Sequence, residues 1–225
     1  MSAGPVESAI GYRFRDPDLL SLALTHKSHA SESRSGADNE RLEFLGDSVL
    51  AAVVAHQLYA ALPGEPEGSL SKKKAQLVSR PSLAEWAACL DLGASLRLGV
   101  GEESTGGRRR QSLLSNAMEA LIGAVYLDGG YSAAETLIGA WCRARLGALA
   151  ETDHKSRLQE VLQKKHKSPP TYELTASAGP EHDKTFSILV RLGARELGRG
   201  EGKNKKEAEQ AAARDALDRM NGQEL

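Results

Sequence analysis

The stretch DNERLEFLGDSVLAAVV, residues 38–54, combines an acidic face with an apolar stripe. At about 100° per residue, helical positions i, i+3, i+4 and i+7 share one face. Glu40, Glu43 and Asp47 have this spacing and share their face with Phe44. The apolar side chains of the opposite face are Leu42, Leu45, Val49 and Val53. The stretch therefore predicts an amphipathic helix whose apolar stripe belongs to a core.

Carboxylates on one helical face repel one another, by roughly 0.2–0.5 kcal/mol for a pair at i and i+4 on an open surface. Asp38 or Asn39 is the expected N-cap, so the helix dipole favours Glu40. Glu43 and Asp47 lie too deep in the helix to gain much from it. Lys or Arg, solvent or a divalent cation can offset the repulsion. A solvated acidic face is the simplest interpretation of this pattern.

A second stretch, SNAMEALIGAVYLDGG at residues 115–130, has the same pattern of a polar face opposite an apolar stripe. Asn116 and Glu119 share its polar side with Gly123. The opposite side carries an apolar stripe of Met118, Leu121, Ile122 and Val125. If the two helices meet, their carboxylate and amide oxygens would form one cluster, and such oxygens are the ligands that Mg²⁺ and Mn²⁺ prefer. The pair of motifs favours a metal site.

The composition fits a helical protein. The chain has 225 residues, of which 40% are hydrophobic and only 4% aromatic. It has no run of 18 apolar residues and no leader pattern, so we expect a soluble cytoplasmic protein without membrane association. Residues 1–152 hold 15 Lys and Arg against 18 Asp and Glu, and the remainder holds 14 against 12. The C-terminal part is therefore mildly basic, which alone does not identify a partner.

The first 149 residues read as helices separated by short breakers. The predicted helices cover residues 16–26, 39–62, 69–90, 112–130 and 132–150. The predicted loops are PGEPEG at 63–68 and GEESTGG at 101–107. The basic run GGRRRQ at 106–111 fits a solvated loop or helix edge, with contact to RNA phosphates as the alternative. Since alternating strand patterns are absent, we expect an all-α domain.

The pattern changes after residue 150. SRLQEVLQKK, at 156–165, predicts a helix opened by Ser156 with Gln159 at N3. Three stretches predict short strands, and the last residues predict a closing helix with Asn204 as cap and Glu207 at N3. The strand segments are 171–177, 184–192 and 195–202, and the helix covers 204–220. The pattern of this part therefore predicts a small α-β-β-β-α domain.

Lysines occupy the first turn of the closing helix, where the helix dipole disfavours cations. Lys205 and Lys206 lie there, and Lys203 precedes them. They are either surface lysines without a role or, with the free N–H groups of the helix, a phosphate clamp. His182 lies in the link between the first two strands and could reach the same groove.

The chain as a whole resembles bacterial ribonuclease III. The signature NERLEFLGDSVL at 39–50 carries the resemblance, with LTHKS at 24–28 and the long stretch 98–130. The C-terminal motifs DHKSRLQEVLQK, GPEHDKTF and GKNKKEAEQAAA extend it. The resemblance implies an all-α endonuclease domain over residues 1–149, a linker at 150–155 and an α+β (αβββα) double-stranded RNA-binding domain over 156–225.

The family's site residues can be placed on this sequence. By resemblance, the metal ligands are Glu43, Asp47, Glu119 and the residue at 116, with Mg²⁺ as cofactor and Mn²⁺ as a substitute. Asp47, Glu119 and Glu40 would be catalytic, with Glu119 central and Glu40 close to the cleavage site. The family is a homodimer, in which an aromatic at the position of Phe44 inserts into the partner subunit.

One position departs from the family. Asp is usual where this chain has Asn116. An amide offers one neutral oxygen to a cation but removes a negative charge, so we expect weaker metal affinity or a stronger metal requirement. The alternative is a protein that binds double-stranded RNA but hardly cleaves it.

The C-terminal resemblance implies recognition of A-form shape across successive minor grooves. The matching contact residues are Gln159, Gln163, His182, Lys203, Lys205 and Lys206. The expected activity is metal-dependent cleavage of double-stranded RNA to 5′-phosphate and 3′-hydroxyl ends with short 3′ overhangs, in processing of ribosomal and messenger RNA. No nucleotide cofactor is expected.

Overall fold

The computed structural model describes residues 4–33, 36–180 and 184–221, without the side chains of 148–152 and 221. It contains two compact units, residues 1–145 and 146–225, which are considered separately below. The expected linker at 150–155 includes the end of one helix, Gln111–Thr152, and the beginning of the next, His154–His166. The domain boundaries 149 and 156 stay a prediction.

The first unit is helical, as predicted. Thr25 and Arg97 form an isolated bridge, and no strand longer than that bridge occurs among its described residues. The helices are α1 Pro5–Ile10, α2 Pro17–Ala23, α3 Lys27–Ser33, α4 Glu40–Ala61, α5 Glu67–Leu77, α6 Arg80–Cys89, α7 Leu92–Ser95, α8 Val100–Ser104 and α9 Gln111–Thr152, with a 3₁₀ turn at Gly107–Arg109.

Helices α4 and α9 carry the apolar stripes predicted from the sequence. The four stripe residues of α9, beginning with Met118, are completely buried. In α4, Leu42, Val49 and Val53 are buried, whereas Leu45 is half-buried. α4 is also long and apolar enough to cross a membrane by length and composition alone, but its buried stripe is that of a core helix.

Three predictions about helix boundaries were wrong. Residues 69–90 form two helices, because Ser79 has an extended backbone (φ −69°, ψ 149°) and is the N-cap of α6. Pro81 lies in the first turn of that helix, where a missing N–H leaves no hydrogen bond unmade. The expected loop at 101–107 contains most of α8, which ends before Gly106 at φ 77°. α5 likewise begins inside the loop predicted at 63–68, at Glu67.

Helix α9 contains a break at the point where the sequence predicts a boundary between two helices. Gly130 has φ 75° and ψ −172°, which is not helical. Only glycine adopts such a backbone without strain. Asp128, just before the break, accepts hydrogen bonds from the Tyr12 hydroxyl at 2.6 Å and from the backbone N–H groups of Arg15 and Asp16 at 2.9 Å.

The second unit has the predicted α-β-β-β-α order. Helix α10 is His154–His166, and the strands are β1 Thr171–Ala178, β2 Thr185–Leu192 and β3 Arg195–Gly202, followed by helix α11 Lys205–Asn221. The three strands pair antiparallel in the order β1-β2-β3. Leu158 and Leu162 of α10 pack with Ile188 and Val190 of β2 against the alanines of α11.

Of the two helix caps predicted in this unit, one was wrong and one is confirmed. Ser156 is not the cap of α10; the helix begins two residues earlier, and the Asp153 side chain accepts from the Ser156 N–H. The cap of α11 is as predicted. Asn204 Oδ1 accepts from the Glu207 N–H at 2.9 Å, and Asn204 Nδ2 donates to the Glu207 carboxylate at 2.7 Å.

Strand β3 and helix α11 pack through glycine and alanine. A Cβ at Gly200 would overlap the backbone of α11 at Ala208 and Ala212. Gly202 faces Ala208 in the same way, and Gly198 faces Ala216. The alternate residues of β3 that face the helix must therefore be glycines for α11 to approach this closely. We call this contact the glycine–alanine seam.

Candidate active site and RNA-binding surface

Close packing of α4 and α9 creates the candidate active site. A Cβ at Gly46 would overlap the backbone carbonyl of Glu119, and a Cβ at Gly123 would overlap the carbonyl of Leu42. The two backbones are therefore in direct contact at these glycines. The polar residues one turn away on each helix then face the same space.

That space is an open cleft of about 370 Å³. Its lining contains every acidic residue that the sequence assigned to catalysis or metal binding. The lining residues are Glu40, Glu43, Phe44, Asp47, Asn116 and Glu119. The structure thus brings the two sequence motifs together at one place, as the spacing of their polar residues predicts.

The carboxylates of the cleft repel one another, so each makes the ionised form of its neighbours less favourable. Partial burial, with the charges of Asp47 and Glu43, raises the pKa of Glu119 to about 7. Burial also raises the pKa of Glu43, and the charge of Glu40 adds to the effect. The Arg80 guanidinium acts in the opposite direction on both Glu43 and Glu119. The cleft therefore holds excess negative charge that a cation would stabilise.

Asn116 interacts with the acidic cluster through its amide. Its side chain lowers the pKa of the Glu43 carboxyl, against the stronger effect of burial. The amide oxygen accepts a hydrogen bond from the Ser115 hydroxyl at 3.3 Å. Asn116 is thus a neutral polar group among the four carboxylates of the cleft.

The donor chemistry of the cleft fits a divalent cation. No group of three or more His, Cys, Asp or Glu side chains forms a preassembled cation cage within the described ranges 4–33, 36–180 and 184–221. Mg²⁺, however, keeps several of its waters and needs only one or two carboxylates. Oxygen atoms are available on both helices, and the raised pKa of Glu119 marks unbalanced negative charge.

Phe44 is 79% exposed at the edge of the cleft. Tyr59, which is 75% exposed, lies further along α4. The exposure agrees with the sequence argument that Phe44 lies on the polar face of α4.

The second candidate surface lies on the C-terminal unit. Gln159 and Gln163 are exposed one turn apart on α10, about 100° around the helix from the buried Leu158 and Leu162. The side chains of Lys203, Lys205 and Lys206 are exposed at the beginning of α11. His182 lies outside the described residues. The glutamines and lysines are thus accessible to a ligand.

Sequence reasoning missed three features of the active site. Lys27 donates a hydrogen bond to Glu40 at 3.0 Å, although the two residues are 13 positions apart and belong to different motifs. Gly46 permits the contact between α4 and α9, and only its place inside a helical pattern signals a packing role. Asn39 is buried and donates to the Ala23 carbonyl, which fixes the beginning of α4.

The basic run at 106–111 has a structural role that the sequence did not reveal. Arg108 donates to the carbonyls of Gly93, Ala94 and Leu96 and also pairs with Glu103. Arg110 pairs with Glu102. Arg109 is exposed. At least two of the three arginines therefore hold the turn after α8 in place.

Comparison with known proteins matches each of the two parts of the chain to a known family. A family model described as ribonuclease-III-like matches residues 16–146, which include the whole acidic cleft. The chain belongs to the ribonuclease III family. A double-stranded RNA binding motif matches residues 154–220, which include the exposed glutamines and lysines. A member with both parts is an endoribonuclease of the ribonuclease III type, directed at double-stranded RNA.

Relatives match over nearly the whole chain. Ribonuclease 3 of Geobacter sulfurreducens is 47% identical over 221 residues, covering 96% of this chain and 89% of that protein. Ribonuclease 3 of Caldanaerobacter subterraneus is 48% identical, and the match covers 96% of both proteins. Among solved structures, the nuclease domain of ribonuclease III from Campylobacter jejuni is 41% identical, with a TM-score of 0.59, over 62% of this chain and 95% of that one.

Proposed function

We propose that the acidic cleft cleaves double-stranded RNA with a divalent cation, Mg²⁺ or in its place Mn²⁺. The observation that carries the proposal is the meeting of oxygen donors from α4 and α9 in one cleft. Glu43, Asp47 and Glu119 would hold the cation, together with the Asn116 oxygen. The chemistry supplied there by a bound cation is activation of water and neutralisation of phosphate charge.

The residues of the chain have separate tasks in this proposal. Glu119 and Asp47, on different helices, fix the position of the cation relative to the backbone. The charge of Glu40 keeps the edge of the cleft polar, where the RNA strand enters. The direct contact of the helices at Gly46 keeps the carboxylates in a fixed relative position, so little reorganisation is needed when the substrate binds.

The products would carry 5′-phosphate and 3′-hydroxyl ends. Two copies of the chain, each with one cleft, would cut both strands and leave short 3′ overhangs. The solved nuclease domain from Campylobacter jejuni shows structural flexibility in a region involved in dimer formation. For this chain, the 79% exposed Phe44 supports a homodimer contact beside the cleft.

The C-terminal unit would bind the duplex and increase its concentration at the cleft. Gln159 and Gln163 would contact a minor groove, and His182 the next one. The lysines at 203, 205 and 206 would bind phosphates at the beginning of α11, where the free N–H groups add to their charge. The proposed natural role is processing of ribosomal and messenger RNA in the cytoplasm.

The experiment is cleavage of a long RNA duplex by the full chain in Mg²⁺, in Mn²⁺ and in chelator. We expect shortening of the duplex in either metal and none in chelator. Glu119→Gln should abolish shortening, whereas Glu135→Gln, the same change elsewhere on α9, should leave it intact. Cleavage that persists in chelator, or in Glu119→Gln, would contradict the proposed metal site.

A second candidate function is binding of double-stranded RNA without efficient cleavage. The neutral Asn116 side chain in the lining of the cleft favours it, because an amide contributes one oxygen to a cation but no negative charge. In that case the unmodified chain would shift the duplex on a gel and leave it whole. Asn116→Asp would then restore shortening, whereas efficient cleavage by the unmodified chain would exclude this candidate.

A further inference from the structure

A second cavity adjoins the acidic cleft. It has a volume of about 240 Å³ and shares Glu40, Glu43 and Asn116 with the cleft. Its other lining includes His26, which precedes α3, and Lys27, the first residue of α3. Because three residues belong to both spaces, the cavity is a side extension of the cleft, and we call it the Lys27 pocket.

The ion pair between Lys27 and Glu40 is weak. Its ammonium lies 3.0 Å from Glu40 Oε1, and the two side chains are 62% and 55% exposed. Exposed ion pairs of this kind contribute little to stability, because solvent screens them and the side chains lose entropy on pairing. A stronger anion at the same place can therefore replace the carboxylate.

The backbone around Lys27, in contrast, is fixed on both sides. The His26 N–H donates to the Arg97 carbonyl at 3.1 Å. The Ser28 hydroxyl accepts from the Gly99 N–H at 2.9 Å and also contacts His26 Nδ1 at 2.8 Å. Because the backbone is held, the Lys27 ammonium can leave Glu40 by a change of side-chain rotamer alone, while the residue stays in the lining of the pocket.

A positively charged side chain near the cleft would help the proposed RNA substrate to bind. RNA is a polyanion, and the cleft that it must enter is lined by the carboxylates Glu40, Glu43, Asp47 and Glu119. Binding of nucleic acid depends mainly on contacts of Lys and Arg with phosphates. Lys27 is the lysine that lines the pocket beside the cleft.

We propose that the Lys27 pocket is a subsite for the RNA backbone, in which Lys27 exchanges Glu40 for a phosphate next to the scissile one. Its ammonium then neutralises a phosphate that would otherwise face Glu40. The exchange also releases the Glu40 carboxylate on the cleft side. This inference rests on the proposed use of the acidic cleft for RNA cleavage.

A competing role is purely structural: Lys27 holds Glu40 in place and never touches RNA. A double-mutant cycle separates the two roles. The variants are Lys27→Gln, Glu40→Gln and the double variant, with Lys27→Arg as the conservative change. Lys72→Gln is the matched control, since Lys72 is an exposed lysine of the same unit that lines neither cavity.

Binding of an RNA duplex to the full chain is measured in chelator at several salt concentrations. Affinity is taken only from duplex that a denaturing gel shows to be uncut, so the result does not depend on whether the proposed metal site is correct. We expect Lys27→Gln to weaken binding about tenfold and to reduce the slope of log affinity against log salt by roughly one. Lys27→Arg should keep the slope, and Lys72→Gln should change neither quantity beyond a small general charge effect.

The Glu40→Gln background decides between the roles. If Lys27 binds phosphate, Lys27→Gln still lowers affinity and slope there. If Lys27 acts only through Glu40, the second change has no further effect, and the proposal is wrong. With metal present, the same variants are compared in cleavage: we expect Lys27→Gln to raise KM about tenfold with little change in kcat. A fall in kcat alone would also overturn the proposal.

Discussion

The Asn116 amide of α9 and the Glu43 carboxylate of α4 line the same cleft, and the amide lowers the pKa of that carboxyl, against the stronger effect of burial. Both residues belong to the proposed metal site. In the absence of metal, the neutral amide adds no negative charge to the cleft. The identity of residue 116 therefore has consequences for both stability and metal dependence.

Asn116→Asp should destabilise the metal-free protein and increase its response to metal. The change replaces a neutral amide by a like charge beside Glu43, so we expect a loss of about 1–2 kcal/mol in the free energy of unfolding in chelator. Mg²⁺ should recover this loss. Denaturant unfolding with and without Mg²⁺ measures both effects. Equal stability of the two proteins in chelator would show that the Asn116 side chain does not stabilise the metal-free protein.

Gly46→Ala should damage the cleft and the fold together. The added methyl overlaps the Glu119 carbonyl, so α4 and α9 must separate, at a cost of about 1–3 kcal/mol or more. Cleavage should fall further than stability alone explains, because the ligands move apart. Gly68→Ala is the control, since a Cβ at Gly68 meets no atom within 4 Å. Wild-type stability in Gly46→Ala would contradict the direct backbone contact.

Glu119 should make the stability of the metal-free protein depend on pH. Its pKa is raised from 4.5 to about 7, so the folded state binds a proton more tightly than the unfolded state. Its contribution to stability is therefore fully present below pH 4.5 and is lost as pH rises through about 7. Glu119→Gln should remove this loss. We would compare Tm of both proteins in chelator from pH 5 to 8; parallel curves would rule out the raised pKa.

Lys205→Ala with Lys206→Ala should weaken RNA binding mainly at low salt. Each phosphate contact contributes about one to the slope of log affinity against log salt, so we expect a slope lower by roughly two. Cleavage at saturating enzyme should not change. Arg214→Ala, on the same helix but paired with Asp218, is the control. An unchanged slope would mean that the beginning of α11 lies outside the interface.

The sequence predicted the main features of the fold because they depend on local patterns. The stripes of α4 and α9 follow from helical period, and the Asn204–Glu207 cap follows from three-residue spacing. The meeting of the two polar faces in one cleft was also predictable, since each face lies opposite a core stripe. Each stripe, face and cap can be recognised within about fifteen residues of sequence.

The features that sequence reasoning missed depend on distant parts of the chain. The pair of Lys27 with Glu40 requires knowledge of where α3 lies relative to α4. The carbonyls that Arg108 binds are 12 to 15 residues away and carry no side-chain signal. The cap of α10 was misplaced because Asp153 and Ser156 both fit the local pattern, and Asp153 is held by Gln210 at the other end of the unit.

The glycine–alanine seam also fixes the lysines of α11 along the sheet. Two residues of a strand advance about 6.7 Å, and four residues of a helix about 6 Å, so glycines at every second position of β3 can meet alanines at every fourth position of α11. The mismatch grows to only about 1.4 Å over the three contacts. A shift of α11 by one such step would move the lysines at its beginning about 6 Å along the sheet. The seam thus fixes the position of Lys203, Lys205 and Lys206 relative to β3, and in the proposed function this position determines which phosphates of a duplex they can reach.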